Sequence, residues 1–217
     1  KENSPDNFYY HLVLLAENNK GYDNLIKIVS YGFKDGFYYK PRVDIELLEK
    51  YHEGIIALSA CLAGPVARTI IRQSYDKGKE VALRYNNIFG ENNFFLELQD
   101  HMDGSVDQQT VNQSLMRMHQ ETGIPLVATN DCHYISPEDA EAHDILLCIQ
   151  TNTTVDEADR MRYEGGQYYV KSPEEMYSLF PYAHQACENT YKIAQRCNVE
   201  FEFGNYKLPV FDVPEGK

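Results

Sequence analysis

The sequence predicts an α/β domain built on a parallel sheet or barrel, and three features carry that expectation. Four short runs, at residues 11–16 (HLVLLA), 54–60 (GIIALSA), 93–98 (NFFLEL) and 125–129 (PLVAT), read as strands. Most are continuously apolar instead of alternating, which suits strands covered on both faces. Helical stretches separate them, and strand–helix alternation is how parallel sheets are connected.

The elements follow in order. After the first strand, a helix over 21–33 carries Leu25, Ile26, Ile28 and Val29 on one side, and another over 44–51 follows Pro41. Helices over 65–73 and 76–89 lead to the third strand. A helix over 108–122 is closed by Gly123, a residue that reaches the left-handed cap conformation without a Cβ penalty. Four strands close a barrel poorly, so a barrel requires strands beyond these. Past Asp131 the character changes. Ser136 caps a helix that runs to Gln150 with acids in its first turn, and residues 151–166 are polar. Residues 168–170 read as a short strand. Ser172 and Glu175 form a capping-box pattern, 183–197 reads as helix and 200–203 as extended chain. Pro209 and Pro214 mark 208–217 as a linker. These shifts divide the chain at 1–135, 136–207 and 208–217.

Composition bounds the function. The 217 residues and 43% hydrophobic content suffice for a sizeable core, and no apolar run approaches the ~20 residues that span a bilayer. The opening residues 1–6 are polar and turn-like, with no signal-peptide pattern. Five cysteines, an odd number without a C-x-x-C pair, fit reduced thiols in a cytoplasmic protein. The net charge of −13 lacks the basic excess of a phosphate-backbone binder, so metals or neighbouring domains would have to supply positive charge.

The most informative segment runs from Thr129 through Asn130, Asp131, Cys132 and His133 to Tyr134, where the fourth strand ends. Sites in α/β barrels are built on that edge. In extended chain Asp131 and His133 share a face, and a carboxylate beside an imidazole suits a divalent metal. A capped turn with His133 bonded to Asp131 fits the same spacing. Cys61 ends the second strand and suits either a soft ligand or a small buried residue. His101 ends the third, near Glu97 and Asp100, and fits a substrate-facing group or a solvated loop. His11 opens a strand instead of closing one, so spacing favours a core or edge histidine, and His143 reads as structural. Phe37, Tyr38, Tyr39, Lys40, Pro41 and Arg42 could stack on bases beside basic groups. They also fit a loop closing over the core. There is no G-x-S-x-G, P-loop or G-x-G-x-x-G.

Taken together, several segments resemble the PHP (polymerase and histidinol phosphatase) domains of bacterial DNA polymerase III alpha subunits. They are Tyr10-His11-Leu12-Val13-Leu14-Leu15-Ala16, Gly36-Phe37-Tyr38-Tyr39-Lys40-Pro41-Arg42, Ala57-Leu58-Ser59-Ala60-Cys61-Leu62-Ala63-Gly64, Leu96-Glu97-Leu98-Gln99-Asp100-His101 and Val127-Ala128-Thr129-Asn130-Asp131-Cys132-His133-Tyr134. The helix around Ala140-Glu141-Ala142-His143-Asp144 continues the match in order. The resemblance implies part of a seven-stranded (β/α) barrel followed by a small, mainly helical segment and a linker toward the polymerase palm. It implies a divalent metal cluster of zinc, manganese or iron held here by His11, Cys61, Asp131 and His133. Asp131 and His133 would act in catalysis, with His101 and Asn130 standing behind the ligands. The implied chemistry is metal-assisted 3′–5′ exonucleolytic hydrolysis in the intact parent, a DNA-directed DNA polymerase that meets DNA and other replicase subunits. A scaffold role for a proofreading partner is the alternative, and a PHP-type sugar-phosphate phosphatase would also carry Asp131 and His133. The family's His-x-His strand, a Thr-Asp-His strand and a glutamate ligand would precede position 1, and the nucleotide-addition acids would follow Lys217.

Overall fold

In the computed structural model, residues 9–206, 208 and 213 are described. The expected turn at 1–6 and nearly all of the 208–217 linker lie outside the described residues.

The architecture is α/β. Strands β1 (Val13–Ala16), β2 (Ile55–Leu58), β3 (Phe94–Leu98) and β4 (Leu126–Ala128) form one sheet in sequence order. β2, β3 and β4 run parallel, whereas β1 pairs with β2 antiparallel, with Val13 opposite Leu58 and Ala16 opposite Ile55. The fully parallel expectation therefore fails at β1. A run such as HLVLLA marks a strand but not its direction, and two helices between β1 and β2 allow either sense.

Helices α1 (Asn19–Lys34) and α2 (Ile45–Tyr51) link β1 to β2, α3 (Pro65–Arg72) and α4 (Tyr75–Phe89) link β2 to β3, and α5 (Val106–Thr122) links β3 to β4. The caps follow the sequence. Asn18, Asp44, Ser74 and Ser105 each accept a bond from a first-turn amide, and Gly123 ends α5 with φ 75°.

Both faces of β2, β3 and β4 are covered, whereas β1 is only partly buried, with Val13 37% exposed. Ile55, Ala57, Phe94, Leu96, Leu98, Leu126 and Ala128 meet the helices α1–α5 in the larger core. Ile56, Leu58, Phe95 and Val127 form a thinner core under Ile193. Each buried large apolar side chain contributes about 1.5–3 kcal/mol.

Beyond β4, a 3₁₀ turn (Pro137–Asp139) leads into α6 (Ala140–Thr151), followed by α7 (Pro173–Leu179) and α8 (His184–Arg196). The 168–170 strand reduces to a single bridge between Tyr134 and Tyr169. α8 packs on β4, and buried Asn189 Nδ2 donates to Leu126 O at 2.7 Å. That bond satisfies a carbonyl that a further strand would otherwise have to satisfy.

Candidate functional site

The antiparallel course of β1 puts its first residues at the edge where β2, β3 and β4 end. His11, which opens its strand, thereby reaches Cys61, which follows β2: His11 Nδ1 lies 3.5 Å from Cys61 Sγ, and His11 N donates to Ala63 O at 3.1 Å. Ala60 takes a left-handed φ of 63°, and the chain turns sharply there to present Cys61. Gly64 closes the turn, donating to Cys61 O at 2.8 Å, and only glycine fits, because a Cβ would sit 2.1 Å from Ser59 O. Burial pushes the Cys61 thiol pKa up, and the Asp131 carboxylate adds to that push. A thiolate and an imidazole on one tetrahedral zinc ion stand about 3.6 Å apart, given Zn–S and Zn–N lengths near 2.3 and 2.05 Å. The His11–Cys61 pair has that spacing.

Below the pair lies a buried polar network centred on Glu97, the one charged residue of β3 and 5% exposed. Its carboxylate accepts from Ala60 N at 2.9 Å, Thr129 Oγ1 at 2.5 Å and Gln99 Nε2 at 3.2 Å. Burial raises the Glu97 pKa against the lowering effect of these donors. The network ties the ends of β2, β3 and β4 into one unit. Asn112 on α5 anchors it by donating to Gln99 O at 2.8 Å.

Asp131 also has a left-handed φ, 45°, so the chain bends at the residue where extended alternation was expected. The face-sharing of Asp131 and His133 does not survive that bend. His133 Nδ1 instead lies 2.7 Å from the backbone carbonyl of Asp131, which leaves Nε2 as the outward nitrogen. His133 sits among rings: its centroid is 4.2 Å from Tyr163, 5.6 Å from His143 and 5.8 Å from Tyr168. Tyr168 also stacks on His101 at 4.1 Å. Burial, with Asp103 and Asp131 nearby, pushes the Tyr168 phenol up to about 12.

His101 is 7% exposed, which settles its placement against a solvated loop. Burial lowers its pKa, and its Nε2 lies 3.2 Å from Asn130 O. Asn130 in turn donates to Gln167 O and Tyr169 O, both at 2.7 Å, while its own buried Oδ1 has no partner among the described residues. His101 and Asn130 thus tie the β3 and β4 ends to the 167–169 segment.

The structure brings His11 and Cys61 together and sets Asp131 on the same edge, close enough to raise the pKa values of Cys61, Glu97, Tyr163 and Tyr168. Among the described residues, no three His, Cys, Asp or Glu side chains are gathered closely enough to hold one ion. The donor types suit a divalent metal, and one pair has ligand spacing. The sequence reads His143 as structural, and the tertiary packing of α6 sets its ring 5.6 Å from His133. Glu97 was noted merely as a neighbour of His101, although a lone carboxylate in FFLEL was its signal. The loop at 37–42 does not close over the core: Phe37 is 58% exposed and Tyr39 84%.

Comparison with known proteins gives this edge a family. Residues 2–101 match the PHP domain model. DNA polymerase III subunit alpha of Borreliella burgdorferi is 43% identical over 94% of this chain, that of Treponema pallidum 42% over 95%, and that of Thermus aquaticus 40% over 98%. The chain spans 17–18% of the length of these relatives. With the PHP match at its start and this identity along nearly all its length, the chain belongs to the PHP-domain family, in the form found in DNA polymerase III alpha subunits.

Proposed function

We propose that the chain is the PHP part of a replicative DNA-directed DNA polymerase and that, in the intact parent, its metal edge removes nucleotides from the 3′ end of DNA. The four strands belong to a seven-stranded (β/α) barrel, with 136–207 as the helical remainder of the domain and 208–217 leading toward the polymerase palm. The parent works in the cytoplasm on DNA, with other replicase subunits as partners; no helix among the described residues is long and apolar enough to cross a membrane.

The observation that carries this reading is the meeting of His11 and Cys61 across the β1–β2 pair, within the field of Asp131. His11, Cys61, Asp131 and His133 would hold the ions, zinc, manganese or iron, and Asp131 and His133 would act in the reaction. When bound, such ions polarise a phosphoryl oxygen and lower the pKa of water. The chain's own residues do the rest. The carbonyl of Asp131 fixes the His133 ring and directs Nε2 outward, as metal-ligating histidines are oriented. Neutral, buried His101 and the doubly donating Asn130 fix the backbone that carries Asp131. Tyr163 and Tyr168 flank the exposed His133 ring and limit how it can turn.

The test uses the full-length parent and a single strand labelled at its 3′ end. Metal-dependent release of the label, lost on Asp131→Ala and on His133→Ala, is the expected result. Absence of release from the intact, metal-loaded parent would support the second reading, a non-catalytic scaffold that stabilises the polymerase or docks a proofreading subunit. The net charge of −13 favours that reading.

A further inference from the structure

We propose that Tyr9, Tyr10 and the turn at 37–42 form a ledge for a single strand of nucleic acid, with bases stacked on the tyrosines and phosphates met by Lys40 and Arg42. Its orientation, leading a 3′ end to the metal edge, rests on the function proposed above; the ledge itself does not.

The turn is unusual in what it exposes. Tyr38 N donates to Lys40 O at 3.1 Å, and Arg42 N donates to Gly36 O at 3.2 Å, which leaves Tyr39 at the apex. Tyr39 has a left-handed φ of 61°, a conformation that suits glycine or asparagine far better, and the residue is 84% exposed. The fold therefore bears a strained aromatic residue whose ring buries little. Strain of this kind is kept where a side chain is presented for use. Tyr38, 46% exposed, meets Tyr39 edge-on at 4.7 Å, and Tyr10, 48% exposed, lines a groove with Pro41 and Arg42.

Cations are interleaved with these rings, although the chain carries −13 overall. Arg42 lies 4.9 Å above the Tyr38 ring, and Lys40 lies 5.2 Å from the Tyr9 ring with its Nζ 3.2 Å from the Tyr9 hydroxyl. Neither Lys40 nor Arg42 has a carboxylate partner among the described residues. Arg68 braces the arm from below, donating to Tyr9 O at 3.2 Å. Rings that accept any base and cations that follow the backbone are the two parts of a sequence-tolerant single-strand site. A peptide partner for this charge pattern would need an acidic segment and would leave the exposed ring faces unexplained. The ledge is continuous with the candidate site, because Tyr9 stacks on His11 at 6.4 Å.

The full-length parent is photocross-linked in chelator to a short single strand substituted with 5-iododeoxyuridine, and the attached peptides are mapped. Adducts on residues 9–10 and 37–42 are expected. For the triple variant Y39G/K40A/R42A, those adducts should vanish, binding of short oligothymidylate should weaken about tenfold or more, and the log–log salt slope should shrink by about 1.4, as for two lost phosphate contacts. Tyr39→Gly alone should weaken binding without lowering the melting temperature, which separates this role from a structural one. Adducts confined to other segments, or unchanged affinity in the triple variant, would overturn the ledge. Ledge adducts without 3′ release would overturn only the phosphodiester reading, and 3′ release without ledge adducts would overturn only the ledge.

Discussion

Replacing Glu97 by alanine tests whether the strand ends are held by the buried network. The substitution removes the acceptor of Ala60 N–H and of the Thr129 hydroxyl, while Gln99 Nε2 keeps Thr129 Oγ1 at 3.3 Å. Two buried donors lose their partner at roughly 1–3 kcal/mol each, so the expected cost is about 2–6 kcal/mol. That is a large share of a typical domain stability of about 5–15 kcal/mol. The cost has a predictable pH dependence. The Glu97 pKa is raised by burial, so the folded chain holds this proton more tightly than the unfolded chain. The group's contribution is fully present below the ordinary carboxylate value of 4.5 and is lost as pH rises through the higher folded value. The penalty of Glu97→Ala is therefore largest in mild acid and shrinks toward neutral pH. Urea unfolding of both proteins in chelator, followed by circular dichroism from pH 5 to 8, measures it. A cost below about 1 kcal/mol at pH 5, or one that grows with pH, would refute the reasoning.

Three further outcomes follow from the same packing. Gly64→Ala drives a Cβ to within 2.1 Å of Ser59 O, and should cost about 1–3 kcal/mol by thermal unfolding while slowing metal uptake through displaced Cys61. Leu96→Ala empties a fully buried site in β3 and should cost about 2–5 kcal/mol in the same assay. Lys79, Tyr75 and Arg117 hold the Glu121 pKa down to about 2, so its contribution is present above 4.5 and lost as pH falls toward 2. Glu121→Gln should accordingly flatten the acid limb of the stability profile over that window.

Much of the fold was legible because burial writes itself into sequence. The four runs at 11–16, 54–60, 93–98 and 125–129 each hold a strand, and Gly123 and the Ser172–Glu175 pair became the caps their types suggest. Strand direction was not legible, because HLVLLA reads alike in either sense. The placement of His11 depended entirely on that direction. The resemblance named His11 where spacing did not, and the antiparallel pairing is what brings it to Cys61. Asp131 and His133 failed the alternation rule because the chain leaves the extended region at Asp131; aspartate tolerates the left-handed region better than most residues, but its type alone does not say which aspartate takes it. The nearness of His143 to His133 was not legible for a different reason: it comes from the docking of α6, a tertiary event.

The account's central claim is that the β1 start and the β2 end together present a metal ligand pair. The most direct test is cobalt(II) titration of the chain, followed by absorption spectroscopy, for the wild type and for Cys61→Ser and His11→Ala. A near-ultraviolet thiolate-to-cobalt band is predicted in the wild type, absent in Cys61→Ser and weakened in His11→Ala. Cobalt binding with no thiolate band, or a band that persists in Cys61→Ser, would contradict the claim.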